Sequence, residues 1–263
     1  MIRIAITGAS GRMGRRIAAL AIESERFDVV AAMEAAGHED LGKDVGDLAG
    51  VGPFGVKVTE DLGDSDPQVI IDFSLPEGTM KWIDICRKKK IGMIIGTTGL
   101  TESQEAAVVD ASQEIPLVHA GNYSVGINLL VKLVAEAARV LGADYDIEIS
   151  ETHHRFKKDA PSGTAIMLAK SICNATNKNY GEVATFGRGG QQPRVPGEIG
   201  MHALRVGDTV GEHEVHFGNL GETVTLSHSA HTRDTFVRGA LRAAGWLSDK
   251  KPGMYDIGDV LGL

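Results

Sequence analysis

The strongest constraint in this sequence is the alternation, across residues 1–125, of short apolar runs with helical spacing, the pattern of a parallel sheet joined by crossover helices. Apolar runs at residues 2–7, 27–33, 69–73, 92–95 and 116–119 predict strands, and residues 12–22 and 78–88 carry helical periodicity between them. This half reads as a Rossmann-like, doubly wound α/β sheet.

The pattern changes at Asn122-Tyr123-Ser124-Val125-Gly126. Beyond it, Ile127, Leu130, Leu133, Val134, Ala137, Val140 and Leu141 mark one face of a long amphipathic helix. A strand at 146–151 and a helix at 163–175 follow, then strands at 201–205, 212–217 and 223–229, close enough in sequence to be antiparallel neighbours. The expected organisation is a first domain over 1–125, rejoined by 235–263 through a helix at 235–247, and a second α+β domain over 126–234. A length of 263 residues suits two lobes. The Gly-rich stretch 181–200 is too long for an ordinary connection and is expected to be a functional loop or an assembly arm.

Glycine supplies 33 of those residues, above the average of roughly 7%, which favours tight turns and close approach of a ligand to main chain. A formal net charge of -8 argues against nucleic acid as a partner, since phosphate binding needs a concentrated basic surface. The one basic run, Arg87-Lys88-Lys89-Lys90, sits where a helix should end, a position the helix dipole favours for cations. Cys86 and Cys173 make no disulfide framework and suit a reducing compartment as buried, small apolar residues. The sequence opens on a strand, without a signal-peptide pattern or an apolar run of about 18 residues, so a cytoplasmic protein with no membrane partner is expected.

Gly8-Ala9-Ser10-Gly11-Arg12-Met13-Gly14 lies between the first predicted strand and helix. Its G-x-x-G-x-x-G spacing lets the chain turn sharply and lets backbone N–H groups meet a pyrophosphate at a positive helix N-terminus. The glycines alone are compatible with a structural turn, and Glu34 alone with a solvated strand end. Strand, glycines, helix, strand and acid in register point to a dinucleotide site, with Glu34 accepting from the adenosine ribose hydroxyls.

The segment from Glu151 to Thr164, E-T-H-H-R-F-K-K-D-A-P-S-G-T, concentrates His153, His154, Arg155, Lys157 and Lys158 between a strand and a helix. A solvated basic loop is the bland reading, but the mutual repulsion of these groups calls for an anion. Ser162 is placed to cap the next helix, whose first N–H groups can hold a carboxylate. A cationic segment beside a helix N-terminus suits a small-molecule dicarboxylate, with a histidine between them able to donate a proton near neutral pH. His213 with His216, and His228 with His231, are oddly spaced on strands and alternate faces, so no metal is expected.

His153 to Ala165 resembles the H-H-R-x-K-x-D-A-P-S-G-T-A signature of the dihydrodipicolinate reductase family. Agreement extends to Gly8–Gly14 with Glu34, Asp72-Phe73-Ser74, Pro76-Glu77-Gly78, Gly96-Thr97-Thr98-Gly99, Asn122 to Gly126, and Val210-Gly211-Glu212-His213, covering essentially the whole chain. The resemblance implies reduction of 4-hydroxy-tetrahydrodipicolinate to tetrahydrodipicolinate in lysine and diaminopimelate biosynthesis, by hydride from NADH or NADPH. It implies His153 as general acid, Lys157 as a second catalytic cation, and His154, Ser162, Gly163 and Thr164 as substrate-binding positions. It implies cofactor contacts at Gly8, Ala9, Ser10, Gly11, Arg12, Met13, Glu34, Gly96, Thr97, Thr98, Ala120, Gly121, Asn122 and Tyr123. It also implies a homotetramer assembled through the second, substrate-binding domain. The sequence departs from many members after Glu34, where Ala35 and Ala36 stand in place of an arginine that could meet the 2′-phosphate of NADPH; NADH is therefore expected to serve at least as well, unless Arg12 reaches that phosphate. Rival readings are a dehydrogenase of another small acid such as aspartate or homoserine, and a non-catalytic dinucleotide-sensing regulator.

Overall fold

Seven strands, β1 (Ile2–Thr7), β2 (Phe27–Met33), β3 (Val58–Thr59), β4 (Val69–Asp72), β5 (Gly92–Ile95), β6 (Pro116–His119) and β12 (Gly253–Tyr255), form one sheet in the order β12-β6-β5-β4-β1-β2-β3 in this computed structural model, which describes residues 1–263. Every pairing in it is parallel. Central strands of such a sheet are covered on both faces, and all four residues of β4 and of β5 are buried accordingly. Helices α1 (Arg12–Ile22) and α8 (Asp234–Leu247) bury Ile17, Ala18, Ala21, Val237, Ala240 and Leu241 on one face. Helices α3 (Pro76–Lys89) and α4 (Glu102–Ala111) bury Trp82, Ile83, Cys86, Val108 and Ala111 on the other. Strand order reverses between β1 and β4, which opens a crevice at their carboxyl ends.

Helix α3 begins earlier than its periodicity suggests, because Pro76 at its first turn needs no N–H partner. The basic run ends it: Arg87, Lys88 and Lys89 occupy the last turn, Arg87 pairs with Asp110 at 2.8 Å, and Lys90 pairs with Glu114 at 2.9 Å. Helix α4, helices α2 (Val45–Ala49) and α9 (Ile257–Leu261), and strands β3 and β12 were not expected from periodicity. The four short elements give too few residues for a period, whereas α4 carries a readable capping box, Thr101 with Gln104.

The chain divides into two compact units, Met1–Ser124 with Asp234–Leu263, and Val125–Arg233. The second unit holds α5 (Val125–Leu141), a 3₁₀ turn (Gly142–Asp144), β7 (Asp146–His153), α6 (Gly163–Ala175), α7 (Tyr180–Val183), β8 (Ala184–Phe186), β9 (Ile199–Arg205), β10 (Gly211–Asn219) and β11 (Glu222–Ala230). Its sheet runs β11-β10-β7-β9-β8. The three late strands are therefore not consecutive neighbours: β10 pairs antiparallel with β11, but β7 lies between β10 and β9 and pairs parallel with β9. Sequence proximity cannot register that insertion, since a parallel pair needs a long crossover, here supplied by α6.

Helices α5 and α6 cover one sheet face through Leu130, Val134, Leu168, Ala169 and Ile172 against Ile147, Ile149, Val215 and Phe217. Leu133 and Val140, expected on the buried stripe of α5, are instead exposed. The stretch 181–200 is also more ordered than expected: it contains the end of α7, all of β8 and the start of β9. Residues between β8 and β9 lie on the outer sheet face, where Glu148 receives Arg188 at 2.8 Å and His202 at 2.6 Å and also pairs with Arg194. Cys86 and Cys173 are both free and buried. No helix is long and apolar enough to cross a membrane.

Candidate active site

The glycine loop leaves β1 at Thr7 and enters α1 at Arg12. Gly8 has φ +67°, and a Cβ there would lie 2.4 Å from the Phe73 carbonyl oxygen; a Cβ on Gly14 would lie 2.1 Å from the Gly8 carbonyl oxygen. Only glycine lets this loop lie against both β4 and its own helix. Gly11 caps α1 without any side-chain hydrogen bond. The first-turn N–H groups are thus not consumed by a capping side chain, which fits a pyrophosphate. Ala9 is buried, Ser10 and Met13 are half-buried, and Gly11 and Arg12 are exposed.

Glu34, directly after β2, accepts from the Ser10 N–H at 3.0 Å and the Ala35 N–H at 3.0 Å. Its carboxylate therefore borders the glycine loop instead of fraying into solvent, and Ala35 and Ala36 beside it are exposed. After β5, Gly96 is half-buried and Thr98 exposed, but the buried Thr97 hydroxyl donates to Asp72 at 2.9 Å. After β6, Ala120 and Asn122 are half-buried and Gly121 exposed. Tyr123 closes this segment: its side chain is fully enclosed in the core, and its hydroxyl donates to the Ile95 carbonyl at 2.8 Å. That bond anchors the segment to the end of β5.

In the second unit, β7 alternates outward and inward residues, so Glu151 and His153 share its inner face. Glu151 is 1% exposed and organises the site. It accepts from Ser162 N–H at 2.9 Å and from both terminal nitrogens of Arg205 at 2.9 Å, and contacts His153 Nδ1 at 2.6 Å. Arg205 stands opposite His153 in the β7–β9 register, and His213 opposite Glu151 in the β7–β10 register. Burial pushes the Glu151 carboxyl up, but Arg205, His153 and the Ser162 N–H outweigh it and hold it below the usual carboxylate range.

With Nδ1 on Glu151, the Nε2 edge of His153 is directed at Gly211, where a Cβ would sit 3.0 Å away. Glycine there leaves the reactive nitrogen room. Burial lowers the His153 pKa below the ordinary histidine value; Glu151 opposes this, and Lys157 and Arg205 add to it. His213 stacks edge-on at 5.2 Å and contacts Ser162 Oγ at 3.0 Å, its own pKa pushed down to about 3, first by burial and then by His153. Ser162 caps α6 as expected, accepting from Ala165 N–H at 3.1 Å. Beside this cap, Gly163 is exposed, Thr164 is half-buried, Lys157 pairs with Asp159 at 2.8 Å, and the half-buried His154 leaves its Nδ1 without a partner. His153, Ser162 and the start of α6 are thus assembled as one polar cluster, joined by Glu151, Arg205, Gly211 and His213, which were not singled out as site residues. The i−2 position of Glu151 on an alternating strand was its only local signal.

The sequence profile described as dihydrodipicolinate reductase, N-terminus, matches residues 2–123, and that described as dihydrodipicolinate reductase, C-terminus, matches residues 126–261. The chain belongs to the dihydrodipicolinate reductase family. Proteins named 4-hydroxy-tetrahydrodipicolinate reductase from Geotalea uraniireducens and Citrifermentans bemidjiense are each 44% identical over 266 aligned positions, covering 100% of both chains. Among solved structures, a dipicolinate-bound dihydrodipicolinate reductase from Paenisporosarcina sp. TG-14 aligns with TM-score 0.77 and 25% identity over 97% of each chain. An amine dehydrogenase from Mycobacterium smegmatis shares the fold at TM-score 0.60 and 12% identity, covering 97% of this chain and 95% of its own.

Within the dihydrodipicolinate reductase family, the exposed Ala35 beside Glu34 gives a direct prediction about cofactor choice. A carboxylate bonded into the loop repels a 2′-phosphate and accepts from free ribose hydroxyls. NADH is expected to be used at least as well as NADPH, and Ala35→Arg to shift preference toward NADPH. The measurement is kcat/KM for both cofactors in both proteins at one ionic strength, because phosphate contacts are salt-sensitive. A strong wild-type preference for NADPH would point to Arg12 as the phosphate ligand.

Proposed function

We propose that this chain reduces 4-hydroxy-tetrahydrodipicolinate to tetrahydrodipicolinate with NADH or NADPH, as a step of lysine and diaminopimelate biosynthesis. The observation that carries this reading is the buried Glu151–His153 pair at 2.6 Å, set beside the Ser162-capped start of α6. A proton donor and an anion-binding helix end are the two devices that reduction of an unsaturated dicarboxylate asks of a protein.

Gly8 through Met13, Glu34, the turn from Gly96 to Thr98 and the main chain from Ala120 to Tyr123 would hold the dinucleotide. The 4-hydroxyl must leave as water to give the conjugated dihydrodipicolinate, and reduced nicotinamide, when bound, supplies the hydride that adds to its C4. His154, Lys157 and the Ser162-Gly163-Thr164 turn would hold the substrate carboxylates. His153 would give the proton that completes the reduction, with Lys157 stabilising negative charge as it develops. The ligand-free imidazole is biased toward neutral by burial and neighbouring cations, and the substrate dianion offsets both and favours the imidazolium. Glu151 keeps the proton-donating edge on Nε2, and Gly211 keeps that edge open.

The test is oxidation of NADH in the presence of substrate made in situ by the preceding synthase. Oxidation that depends on that product supports the reading, whereas oxidation driven by aspartate or homoserine would favour the rival dehydrogenase. We also infer a cytoplasmic enzyme and a homotetramer assembled through the second unit, whose sheet leaves Leu204 and Val224 exposed. A solution mass of one chain would contradict that assembly.

A further inference from the structure

Asp72, the last residue of β4, is fully buried and is bonded by no lysine, arginine or histidine. Burying a carboxylate without a cationic partner is expensive unless its lone pairs are filled. Four hydroxyls fill them here. Thr7 and Ser74 donate to Oδ1, each at 2.5 Å, and Thr79 and Thr97 donate to Oδ2 at 2.6 and 2.9 Å. Ser74 and Thr79 also lie 3.3 Å from the Leu75 carbonyl, but their single protons take the much shorter path to the carboxylate. The charge is felt in the surrounding core: the Tyr123 hydroxyl is pushed well up, first by burial and then by Asp72.

The donors come from four different places. Thr7 ends β1 immediately before the glycine loop, Ser74 lies in the turn after β4, Thr79 lies in the first part of α3, and Thr97 lies in the turn after β5. Thr97 Oγ1 in addition accepts from the Ser74 N–H at 3.1 Å, closing a second tie between the β4 and β5 turns. One carboxylate therefore clamps together the segments that flank the β1/β4 reversal of strand order, where an open α/β sheet binds its ligand. Only an ionised, acceptor-only group can serve four O–H donors at once; a carboxamide would turn one side of the group into a donor facing hydroxyls.

We propose that Asp72 is a positioning residue for the dinucleotide, setting the spacing between the Gly8–Gly14 loop and the Gly96–Thr98 turn through the hydroxyls of Thr7, Ser74, Thr79 and Thr97. The proposal rests on the reading that the first unit binds NADH or NADPH. It assigns to Asp72 no contact with substrate and no proton transfer.

The experiment is calorimetric titration of NADH into the full-length wild type and into Asp72→Asn, Thr7→Val, Thr7→Ser and the Asp72→Asn/Thr7→Val double variant, with steady-state KM and kcat alongside. Leaving buried hydroxyls without their acceptor should raise the Kd for NADH by roughly tenfold in Asp72→Asn. Thr7→Val, which cuts the tie to the glycine loop alone, should raise it by several-fold. Thr7→Ser, which keeps the hydroxyl, should stay within about twofold of wild type, and the double variant should bind no worse than Asp72→Asn, because both changes break one network. The KM for NADH should follow Kd while kcat at saturating NADH is largely kept. A merely structural role would instead lower the active fraction, and hence apparent kcat, with Kd unchanged. If Asp72→Asn does not fold, the Thr7→Val and Thr7→Ser pair decides alone. Wild-type affinity in Thr7→Val, or equal weakening in Thr7→Val and Thr7→Ser, overturns the proposal while leaving NADH binding intact. A wild-type chain that binds no NADH overturns the underlying reading and the proposal with it.

Discussion

Replacing His153 with alanine is expected to lower turnover by about 10²- to 10⁴-fold, the usual contribution of a positioned proton donor, while leaving the affinity for NADH unchanged. The split follows from where the residue stands: His153 belongs to the second unit, whereas the glycine loop and Glu34 belong to the first. The pH profile carries a second signature. Because burial holds the His153 pKa below the ordinary value of about 6.5 in the ligand-free protein, binding of a dianion at pH 7 should draw a proton onto the imidazole. Titration of a pyridine-2,6-dicarboxylate analogue in buffers of different ionisation enthalpy should show proton uptake in the wild type and none in His153→Ala. Wild-type turnover in the variant near neutral pH would remove His153 from the chemistry.

Glu151→Ala is expected to be the most destabilising single change at the site. Glu151 is 1% exposed and Arg205 is largely buried at 19% side-chain exposure. Removing the carboxylate leaves the guanidinium without its counter-ion, with only the Leu204 and Asp159 carbonyls as acceptors, and leaves the Ser162 N–H and the His153 Nδ1 without their partner. Breaking a buried pair in this way costs about 3 to 5 kcal/mol, and the partial exposure of Arg205 favours the lower end. The pH dependence has a definite sign. The Glu151 carboxyl is held below its ordinary pKa, so its stabilisation is present above the unfolded-state value and is lost as pH falls through the folded one. His153 is also held below its ordinary value, so protonation below about pH 6.5 favours the unfolded chain. Both make the wild type less stable toward acid, and Glu151→Ala should flatten the carboxylate part of that dependence. Urea unfolding followed at several pH values measures it; a loss under about 1 kcal/mol at pH 7 would contradict the central place given to Glu151.

Much of this was legible in the sequence because periodicity and turn chemistry are local. The runs that became β1, β2, β5 and β6 sit in a sheet buried on both faces, so they read as continuous apolar stretches, and the glycine loop between β1 and α1 announced its own geometry. Ser162 was recognisable as a cap because a serine before a helical run has few other uses. The partners of His153 were not legible. Arg205 and His213 reach it through strand register, with β7 inserted between β9 and β10, and register is a property of the folded sheet. Nor was the anchoring of Tyr123 legible: that its hydroxyl serves the Ile95 carbonyl depends on how β5 and β6 pack, which no local pattern reports.

The most direct measurement of the central claim uses NADH deuterated at the transferable C4 position, with substrate generated by the preceding synthase and the product examined by mass spectrometry and NMR. The account predicts one deuterium in each tetrahydrodipicolinate formed, at ring C4, in step with the NADH consumed. Unlabelled product, or NADH consumption that does not depend on the substrate, would contradict it.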